Sequence, residues 1–181
     1  MKPGLFIFDL ETSGLDPARN SILQAAWMIV RDGMVLKERC MDVHPEDGEE
    51  FCLEALDVNG FELSRIRKGK TLAYVLNCMK VDLQETVKGS ELLRPCGHNV
   101  QFDISFILGK SRKYENLSSY IDFRRAVDTL SVLRWMDYNG DISLENYRLE
   151  TVCRHFKIPV RAHDAMEDVR AVQKLLIYLK G

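Results

Sequence analysis

The sequence predicts an α/β fold in which helices flank a mixed β-sheet. Apolar strand-like runs joined by a hairpin signal fill residues 4–43, and helical patterns with one short strand follow. A hairpin joins antiparallel strands, whereas a crossover through a helix joins parallel strands, so both kinds of pairing are expected. The 181 residues, 46% of them hydrophobic, suit a single domain spanning 1–181 with a sizeable core.

Three strands are predicted in the first quarter of the chain. Residues 4–10 form a buried strand, because four apolar residues follow one another after a Pro-Gly entry. A second apolar run covers 22–31, and the chain returns along 34–43. The dipeptide Asp32-Gly33 between them is typical of a tight hairpin turn. The first three strands are therefore expected to lie side by side.

Helices dominate the remainder. Apolar residues recur at helical spacing over 71–86 and 100–112, and Asp128 is a candidate N-cap for a helix over 129–137. A further helix is marked by Leu149 to Phe156 and ends before Pro159. The clearest pattern is the last, with apolar positions Ala165, Met166, Val169, Val172, Leu176 and Leu179, and a short strand is predicted at 92–97.

The charge balance limits the possible functions. The formal net charge is −2, whereas proteins that hold nucleic acid by bulk attraction are usually basic. This disfavours a passive binding module, but it does not disfavour an enzyme whose carboxylates bind cations, because the metals then supply positive charge. The acidic segment 46–50 is interpreted as a solvated loop.

No segment suggests secretion or membrane insertion. The apolar run near the start is short and ends in Asp9, and no stretch is long enough to cross a bilayer, so a cytoplasmic location is expected. The cysteines are scattered and lack zinc-ligand or disulfide-framework spacing, which favours small buried apolar residues. They are Cys40, Cys52, Cys78, Cys96 and Cys153.

The first chemical motif lies at the end of the first strand. Side chains alternate along a strand, so Asp9 and Glu11 are expected to face the same side. Two carboxylates that leave an apolar strand together repel each other, and divalent cations with oxygen ligands would compensate that repulsion. An acidic, solvated strand end is the alternative.

The second motif is the segment His98-Asn99-Val100-Gln101-Phe102-Asp103. Asp103 falls in the first turn of a predicted helix, where the helix dipole favours a carboxylate without any metal. His98 and Asn99 are equally consistent with loop residues that satisfy backbone groups. This segment alone does not decide between a structural and a chemical use.

The third motif is His163-Asp164-Ala165-Met166-Glu167-Asp168. Asp168 lies beside the apolar stripe of the last helix, where a carboxylate is costly unless it has a partner. Asp164 and Glu167 are acidic competitors for the same role. His163 precedes the helix, and its ordinary pKa suits a general base near neutral pH.

Taken in order, the three motifs resemble those of the DEDDh 3′–5′ exonucleases. The match consists of the paired acids before Thr-x-Gly, the pattern His-Asn-x-x-Phe-Asp and the pattern His-x-Ala-x-x-Asp, and it spans residues 5–180. The family includes polymerase proofreading exonucleases, oligoribonuclease, ribonuclease T and exonuclease I. The resemblance implies a ribonuclease H-like fold with a five-stranded mixed sheet flanked by helices.

The resemblance also implies a metal-dependent hydrolase and assigns residues to it. Two divalent cations, Mg²⁺ or Mn²⁺, are expected at the scissile phosphate, His163 would take the proton of the attacking water, and nucleoside 5′-monophosphates would be released. The metal-binding carboxylates would be Asp9, Glu11, Asp103 and Asp168. This choice favours Asp168 over Asp164.

The same resemblance implies a pocket for the terminal nucleotide. Thr12 and Glu11 would lie near the 3′ hydroxyl, and Leu15 would act as an apolar wedge against the base. The pocket would further be lined by His98, Asn99 and Phe102. The basic clusters 65–70 and 110–113 could meet the phosphate backbone, although each is more often a solvated face.

Three functions stay open. The first is a DNA 3′–5′ exonuclease that prefers single strands, and the second is an exoribonuclease that trims RNA 3′ ends or short oligomers, since recognition of the 2′-hydroxyl cannot be read from these residues. The third is a non-catalytic nucleic-acid-binding or partner-binding module on the same fold. Gln24 stands where proofreading members often carry glutamate, so the pathway and any polymerase or repair partner stay undetermined.

Overall fold

The computed structural model describes residues 3–46, 48–50, 52, 63–160 and 164–180. Its strands are β1 (Leu5–Thr12), β2 (Ile22–Arg31), β3 (Met34–His44), β4 (Lys70–Thr71), β5 (Arg94–Gly97) and β6 (Val127–Asp128). Its helices are α1 (Leu63–Ile66), α2 (Leu72–Thr86), α3 (Val100–Tyr114), α4 (Thr129–Tyr138), α5 (Leu149–His155) and α6 (Ala165–Tyr178), and short 3₁₀ turns cover Leu117–Ser119 and Phe123–Arg125.

The strands form one mixed sheet in the order β4-β3-β2-β1-β5-β6. β1, β2 and β3 pair antiparallel, whereas β5 runs parallel to β1, β6 to β5 and β4 to β3. The turn between β2 and β3 has positive φ at both Asp32 and Gly33, as a tight hairpin turn with the sheet's twist requires. The predicted hairpin and the mixed character of the sheet are confirmed.

β1 is central and is covered on both faces. Phe6, Phe8 and Leu10 face a core layer built with α2 and α3. Ile7 faces the opposite layer, which contains Val169 and other apolar residues of α6. Because side chains alternate, one strand serves two cores, and its last residues project between them.

The prediction of five strands was wrong, because the described residues form a sheet of six. The two outermost strands, Lys70–Thr71 and Val127–Asp128, contain two residues each, too few to produce a periodic apolar pattern. Both pair only where a neighbouring strand already lies beside them.

Among the described residues, no helix is long and apolar enough to cross a membrane.

The interpretation of the acidic segment as solvated was wrong for Glu49. Its carboxylate binds the ammonium of Lys110 on α3, and both side chains are largely buried. The same carboxylate accepts a hydrogen bond from the hydroxyl of Ser21. Glu50 pairs with Arg19 at the surface, and Asp47 lies outside the described residues. The segment therefore ties α3 to the start of β2.

The cysteines are free thiols in different environments. Cys96 and Cys153 are buried, Cys52 and Cys78 are partly buried, and Cys40 on β3 is exposed. The expectation of small buried residues is therefore wrong for Cys40. For the buried Cys96, burial raises the pKa of the thiol to about 12, so this thiol stays protonated at neutral pH.

A buried carboxylate fastens α2 to the sheet. Asp82 is 1% exposed and accepts a hydrogen bond of 3.0 Å from Nε1 of Trp27, the largest fully buried side chain. Arg39 on β3 donates two further bonds to the two carboxylate oxygens, each of 2.9 Å. The guanidinium also lies 6.0 Å from the centre of the Trp27 ring. One carboxylate on α2 thus satisfies groups on β2 and β3.

Replacing Asp82 by alanine is expected to destabilise the protein by about 3 kcal/mol, because the indole N–H and the guanidinium would lose their acceptor. Urea unfolding followed by circular dichroism measures this loss. The matched control is Glu85→Ala on the same helix, which removes an exposed ion pair between Glu85 and Lys37 of β3. This change should cost less than about 1 kcal/mol. Equal losses in the two variants would contradict the assignment.

Candidate active site

Two elements bring three carboxylates together at the end of β1. Asp9 and Glu11 project from β1 on the side of the sheet that α6 covers, as the alternation predicted, and α6 carries Asp168. One carboxylate oxygen from each of the three lies within 4.8 Å of the others. The packing of α6 through Ala165 and Val169 against Ile7 fixes this approach.

Asp103 reaches the same place from the opposite face. It lies in the first turn of α3 and is 4% exposed. Its Oδ1 accepts a hydrogen bond of 3.1 Å from the backbone N–H of Leu10, between Asp9 and Glu11. The pairing of β1 with β5 ends at Ile7. Beyond that point, the side chain of Asp103 accepts the hydrogen bond of the Leu10 N–H in place of a neighbouring strand.

Burial and mutual repulsion dominate the electrostatics of the cluster. Burial, followed by the neighbouring carboxylates, raises the pKa of Asp9 well above its usual value, and burial also raises the pKa of Asp103. Burial and nearby acids raise the pKa of Glu11 to about 7 and that of Asp168 to about 7. Within the described ranges, none of these four carboxylates has a salt bridge. Such a set of clustered oxygen donors fits a hard divalent cation.

The acidic competitors of Asp168 have structural uses. Asp164 is the N-cap of α6, and its Oδ1 accepts hydrogen bonds from the backbone N–H groups of Met166 and Glu167. Glu167 pairs with Arg170 at 2.7 Å. Asp168 is the residue of this segment that joins the cluster.

A polar frame behind the cluster was not foreseen. Gln24 lies opposite Glu11 in the β1–β2 register and is 3% exposed. Its Oε1 accepts from the N–H of Ala165 at 3.2 Å, and its Nε2 donates to Asp42 at 2.8 Å. Arg65 donates two bonds to the same Asp42. The sequence signal for this role of Gln24 was its position as a polar residue within an apolar strand.

The residues predicted near a terminal nucleotide differ in exposure. Thr12 is buried and its hydroxyl donates to the carbonyl of Gly14 at 2.7 Å. Leu15 is 84% exposed on the loop after β1. Phe102 is partly buried against the core, with its ring 5.1 Å from that of Phe106. Leu15 is thus available to a ligand, whereas Phe102 is largely committed to packing.

His98 and Asn99 organise the start of α3. Nε2 of His98 donates to the carbonyl of Tyr147 at 2.7 Å, and its Nδ1 lies 2.9 Å from the Thr129 hydroxyl. Burial lowers the pKa of His98. Asn99 has φ 65° in the left-handed region, and its N–H donates to Asp128 at 2.8 Å. Both ring nitrogens of His98 are therefore engaged within the protein.

The remaining expectations concern His163 and the basic clusters. His163 lies outside the described residues. In the two clusters, Lys110 pairs with Glu49, Lys113 with Glu46 and Arg65 with Asp42. These pairs reduce the positive charge that the clusters could offer to a phosphate backbone.

The fold resembles that of solved exonucleases. The structure superposes on that of E. coli exonuclease I in complex with a dT13 oligonucleotide with a TM-score of 0.82 and 21% identity, covering 99% of this chain and 41% of that one. The zinc ion bound form of the E. coli exonuclease I–ssDNA complex gives a TM-score of 0.78 and 21% identity, with 96% and 40% covered. The ribonuclease H-like α/β fold is thereby confirmed.

Comparison of the sequence with known proteins identifies the family to which the chain belongs. Residues 6–176 match the RNase T family model, described as Exonuclease, so the chain belongs to this exonuclease family. A DNA polymerase III of the PolC type from Caldanaerobacter subterraneus is 26% identical over 172 residues, which make up 94% of this chain and 11% of that protein. The chain therefore spans about a tenth of the length of this relative.

The raised pKa values of Glu11 and Asp168 give stability a definite pH dependence. An acid whose pKa is higher in the folded than in the unfolded state binds its proton more tightly when folded. Its contribution is complete below the unfolded value near 4 and is lost as the pH rises through about 7. In EDTA, the Tm is therefore expected to fall between about pH 4.5 and pH 8.

Asp168→Asn should flatten this fall, because it removes one of the titrating charges. Asp141→Asn, which changes an exposed acid in the loop after α4, is the matched control and should keep the slope of the wild type. Differential scanning fluorimetry across this pH range provides the measurement. A slope that Asp168→Asn leaves unaltered would show that the cluster does not carry the effect.

Proposed function

We propose that the protein is a metal-dependent 3′–5′ exonuclease that hydrolyses the terminal phosphodiester bond of single-stranded nucleic acid and releases nucleoside 5′-monophosphates. The observation that carries this proposal is that carboxylate oxygens of Asp9, Glu11 and Asp168 lie within 4.8 Å of one another. Asp103 accepts a hydrogen bond from the backbone N–H of Leu10, between Asp9 and Glu11. Membership of the exonuclease family supports it.

The carboxylates would hold two divalent cations, Mg²⁺ or Mn²⁺. Asp9, Glu11 and Asp168 form one set of oxygen donors, and Asp9 with Asp103 would form a second. When bound, such ions lower the pKa of water and stabilise negative charge on a leaving oxygen. Gln24 would keep Asp168 in position, because it binds the first turn of the helix that carries Asp168. His163 would accept the proton of the attacking water.

The terminal nucleotide would lie over the loop that follows β1. Leu15 is exposed there and would gain burial by covering the base, which is favourable for an apolar side chain. Thr12 and Glu11 would lie near the 3′ hydroxyl. Asn99 and His98 would form the opposite wall, with His98 shaping the wall through its bonds to Thr129 and Tyr147, and Phe102 would support it from the core.

DNA is the favoured substrate. The solved relatives include exonuclease I bound to single-stranded DNA, and the PolC-type relative is a DNA polymerase. The PolC-type relative makes a polymerase the partner to test first. An exoribonuclease with the same carboxylates is the second candidate, and a non-catalytic binding module is the third.

Digestion of end-labelled single- and double-stranded DNA and RNA, with Mg²⁺, Mn²⁺ or EDTA, separates these functions. The expected result is a ladder from 5′-labelled single-stranded DNA and immediate mononucleotide release from the 3′-labelled strand, both abolished by EDTA. Faster digestion of RNA would identify the exoribonuclease. Absence of metal-dependent mononucleotide release from every substrate would overturn the proposal.

Asp9→Ala and Asp168→Ala should each lower kcat by at least about 10³-fold, which corresponds to about 4 kcal/mol of barrier, because each removes a donor from the shared set. Glu167→Gln is the matched control, since Glu167 adjoins Asp168 in sequence but pairs with Arg170, and it should change kcat less than about threefold. Steady-state release of mononucleotide from oligo-dT is the measurement. Near wild-type rates in both alanine variants would exclude the carboxylate mechanism.

His163→Ala should lower kcat by about 10²- to 10⁴-fold, the range expected for loss of a general base, while KM changes little. The acidic limb of the pH–rate profile should become shallower, since one titrating group is removed. His155→Ala on α5 is the matched control because this histidine is exposed. If the two variants behaved alike, His163 would have no part in proton transfer.

A further inference from the structure

An open cavity of about 440 Å³ adjoins the candidate active site on the side of α4. Its lining includes His98 and Asn99 at the start of α3, and Arg134 and Arg148 from α4 and the segment before α5. Asp103 follows Asn99 by four residues, which is about one helical turn or 6 Å along α3. The cavity and the carboxylate cluster thus share the first turn of α3.

The two arginines of this cavity are available to an anion. Both are exposed, and within the described part of the chain neither guanidinium lies within salt-bridge distance of a carboxylate. This contrasts with Arg65, Lys110 and Lys113 of the basic clusters, which are paired with Asp42, Glu49 and Glu46. Guanidinium groups suit phosphate, because their N–H donors match phosphate oxygens in pairs.

Two large aromatic side chains continue the same surface. Trp135 and Tyr138 on α4 are 62% and 82% exposed, and their rings stack with centroids 5.7 Å apart and planes inclined by 25°. Tyr138 follows Arg134 by four residues, so it lies about 6 Å further along the same side of the helix. The buried side of α4 is occupied by Leu133, which leaves the aromatic pair facing outward.

We infer that these residues form a binding track for the part of a single strand that precedes its 3′ end. Arg134 and Arg148 would contact phosphates, and Trp135 with Tyr138 would stack on bases two or more nucleotides from the cleaved bond. Arginines beside exposed aromatic rings form the combination that holds single strands without sequence preference. The inference rests on the proposed function, because the proposed active site determines where the 3′ end of the strand lies.

The charge favours nucleic acid over a protein as the occupant. A protein-binding aromatic patch does not require two guanidinium groups without a salt bridge near it, as Arg134 and Arg148 are within the described part of the chain. A strand whose 3′ end lies at those carboxylates needs further cations along its backbone, because ions held by the carboxylates would meet only the phosphate nearest the 3′ end. The surface described here supplies two such cations, Arg134 on α4 and Arg148 in the segment before α5.

The test measures binding as a function of strand length. Fluorescein-labelled oligo-dT of 2, 4, 8 and 12 nucleotides is titrated with the full chain in EDTA and in Ca²⁺, and anisotropy gives Kd. The double variant Trp135→Ala/Tyr138→Ala should weaken binding of the 12-mer by about tenfold or more, while its Kd for the dinucleotide stays within about twofold. Tyr74→Ala, which removes another exposed aromatic residue on α2, is the matched control and should not change either value.

The arginines have a separate readout. Arg134→Ala/Arg148→Ala should reduce the slope of log K against log salt by about 1.4, since each lost phosphate contact on a single strand accounts for about 0.7. Arg124→Ala is the control, because Arg124 is exposed and precedes β6 at the end of the strand away from α4. An unaltered salt slope would remove the arginines from the track.

Tryptophan fluorescence tests stacking directly in the wild-type protein. The chain has two tryptophans, of which Trp27 is fully buried and Trp135 is exposed. A 12-mer should quench the red-shifted emission of Trp135, and a dinucleotide should not. Trp135→Phe should lose the signal and keep binding within about threefold, which guards against a double variant that fails to fold.

The possible failures are distinguishable. Hydrolysis by the wild type together with unaltered length dependence in the aromatic double variant would overturn the track and leave the proposed function standing. Length-dependent binding with Trp135 quenching but without hydrolysis would support the track and overturn the proposed function. Loss of self-association in the aromatic variant, with oligonucleotide binding unaltered, would assign the patch to a protein contact and overturn the track.

Discussion

The repulsion among carboxylates around β1 is the constraint on which the rest of the site depends. Isolated, these groups would move apart or leave the interior, because burying like charges together is unfavourable. Two apolar layers prevent this: α6 packs on one face of β1 and α3 on the other. The hydrophobic cores thus hold in place an electrostatic arrangement that the carboxylates alone would not adopt.

The polar groups around the cluster are arranged so that they do not neutralise it. Arg65 lies near Glu11, yet its guanidinium binds Asp42 through two hydrogen bonds. Gln24 bonds to Asp42 on one side and to the N–H of Ala165 on the other, which supports the helix without adding charge. Carboxylates that have no salt bridge among the described residues are suited to bind cations.

Local signals made much of the fold predictable. The β2–β3 hairpin follows from two residues that tolerate positive φ, and the N-cap of α4 follows from Asp128, whose carboxylate accepts from the N–H of Leu130. The two-residue strands β4 and β6 carry no such signal, because their pairing depends on neighbours already in place. The interpretation of 46–50 as solvated failed for the same reason, since Lys110 lies far along the chain from Glu49.

The candidate site was predictable to a similar extent. The alternation along β1 predicted that Asp9 and Glu11 share a side, and the resemblance to the DEDDh exonucleases singled out Asp103 and Asp168. The bond from Leu10 to Asp103 joins residues 93 positions apart, and no local pattern announces such a contact. The engagement of both ring nitrogens of His98 likewise depends on Thr129 and Tyr147, which the sequence does not place beside it.

The distance along the chain between the parts of the cluster has a consequence for synthesis in the cell. β1 is translated before α6, and the contact of Gln24 with Ala165 spans 141 positions. A ribosome-bound chain that has not yet extended α6 lacks both Asp168 and the helix that covers one face of β1. The cluster of Asp9, Glu11 and Asp168 therefore forms only after α6 has been translated and has packed on β1.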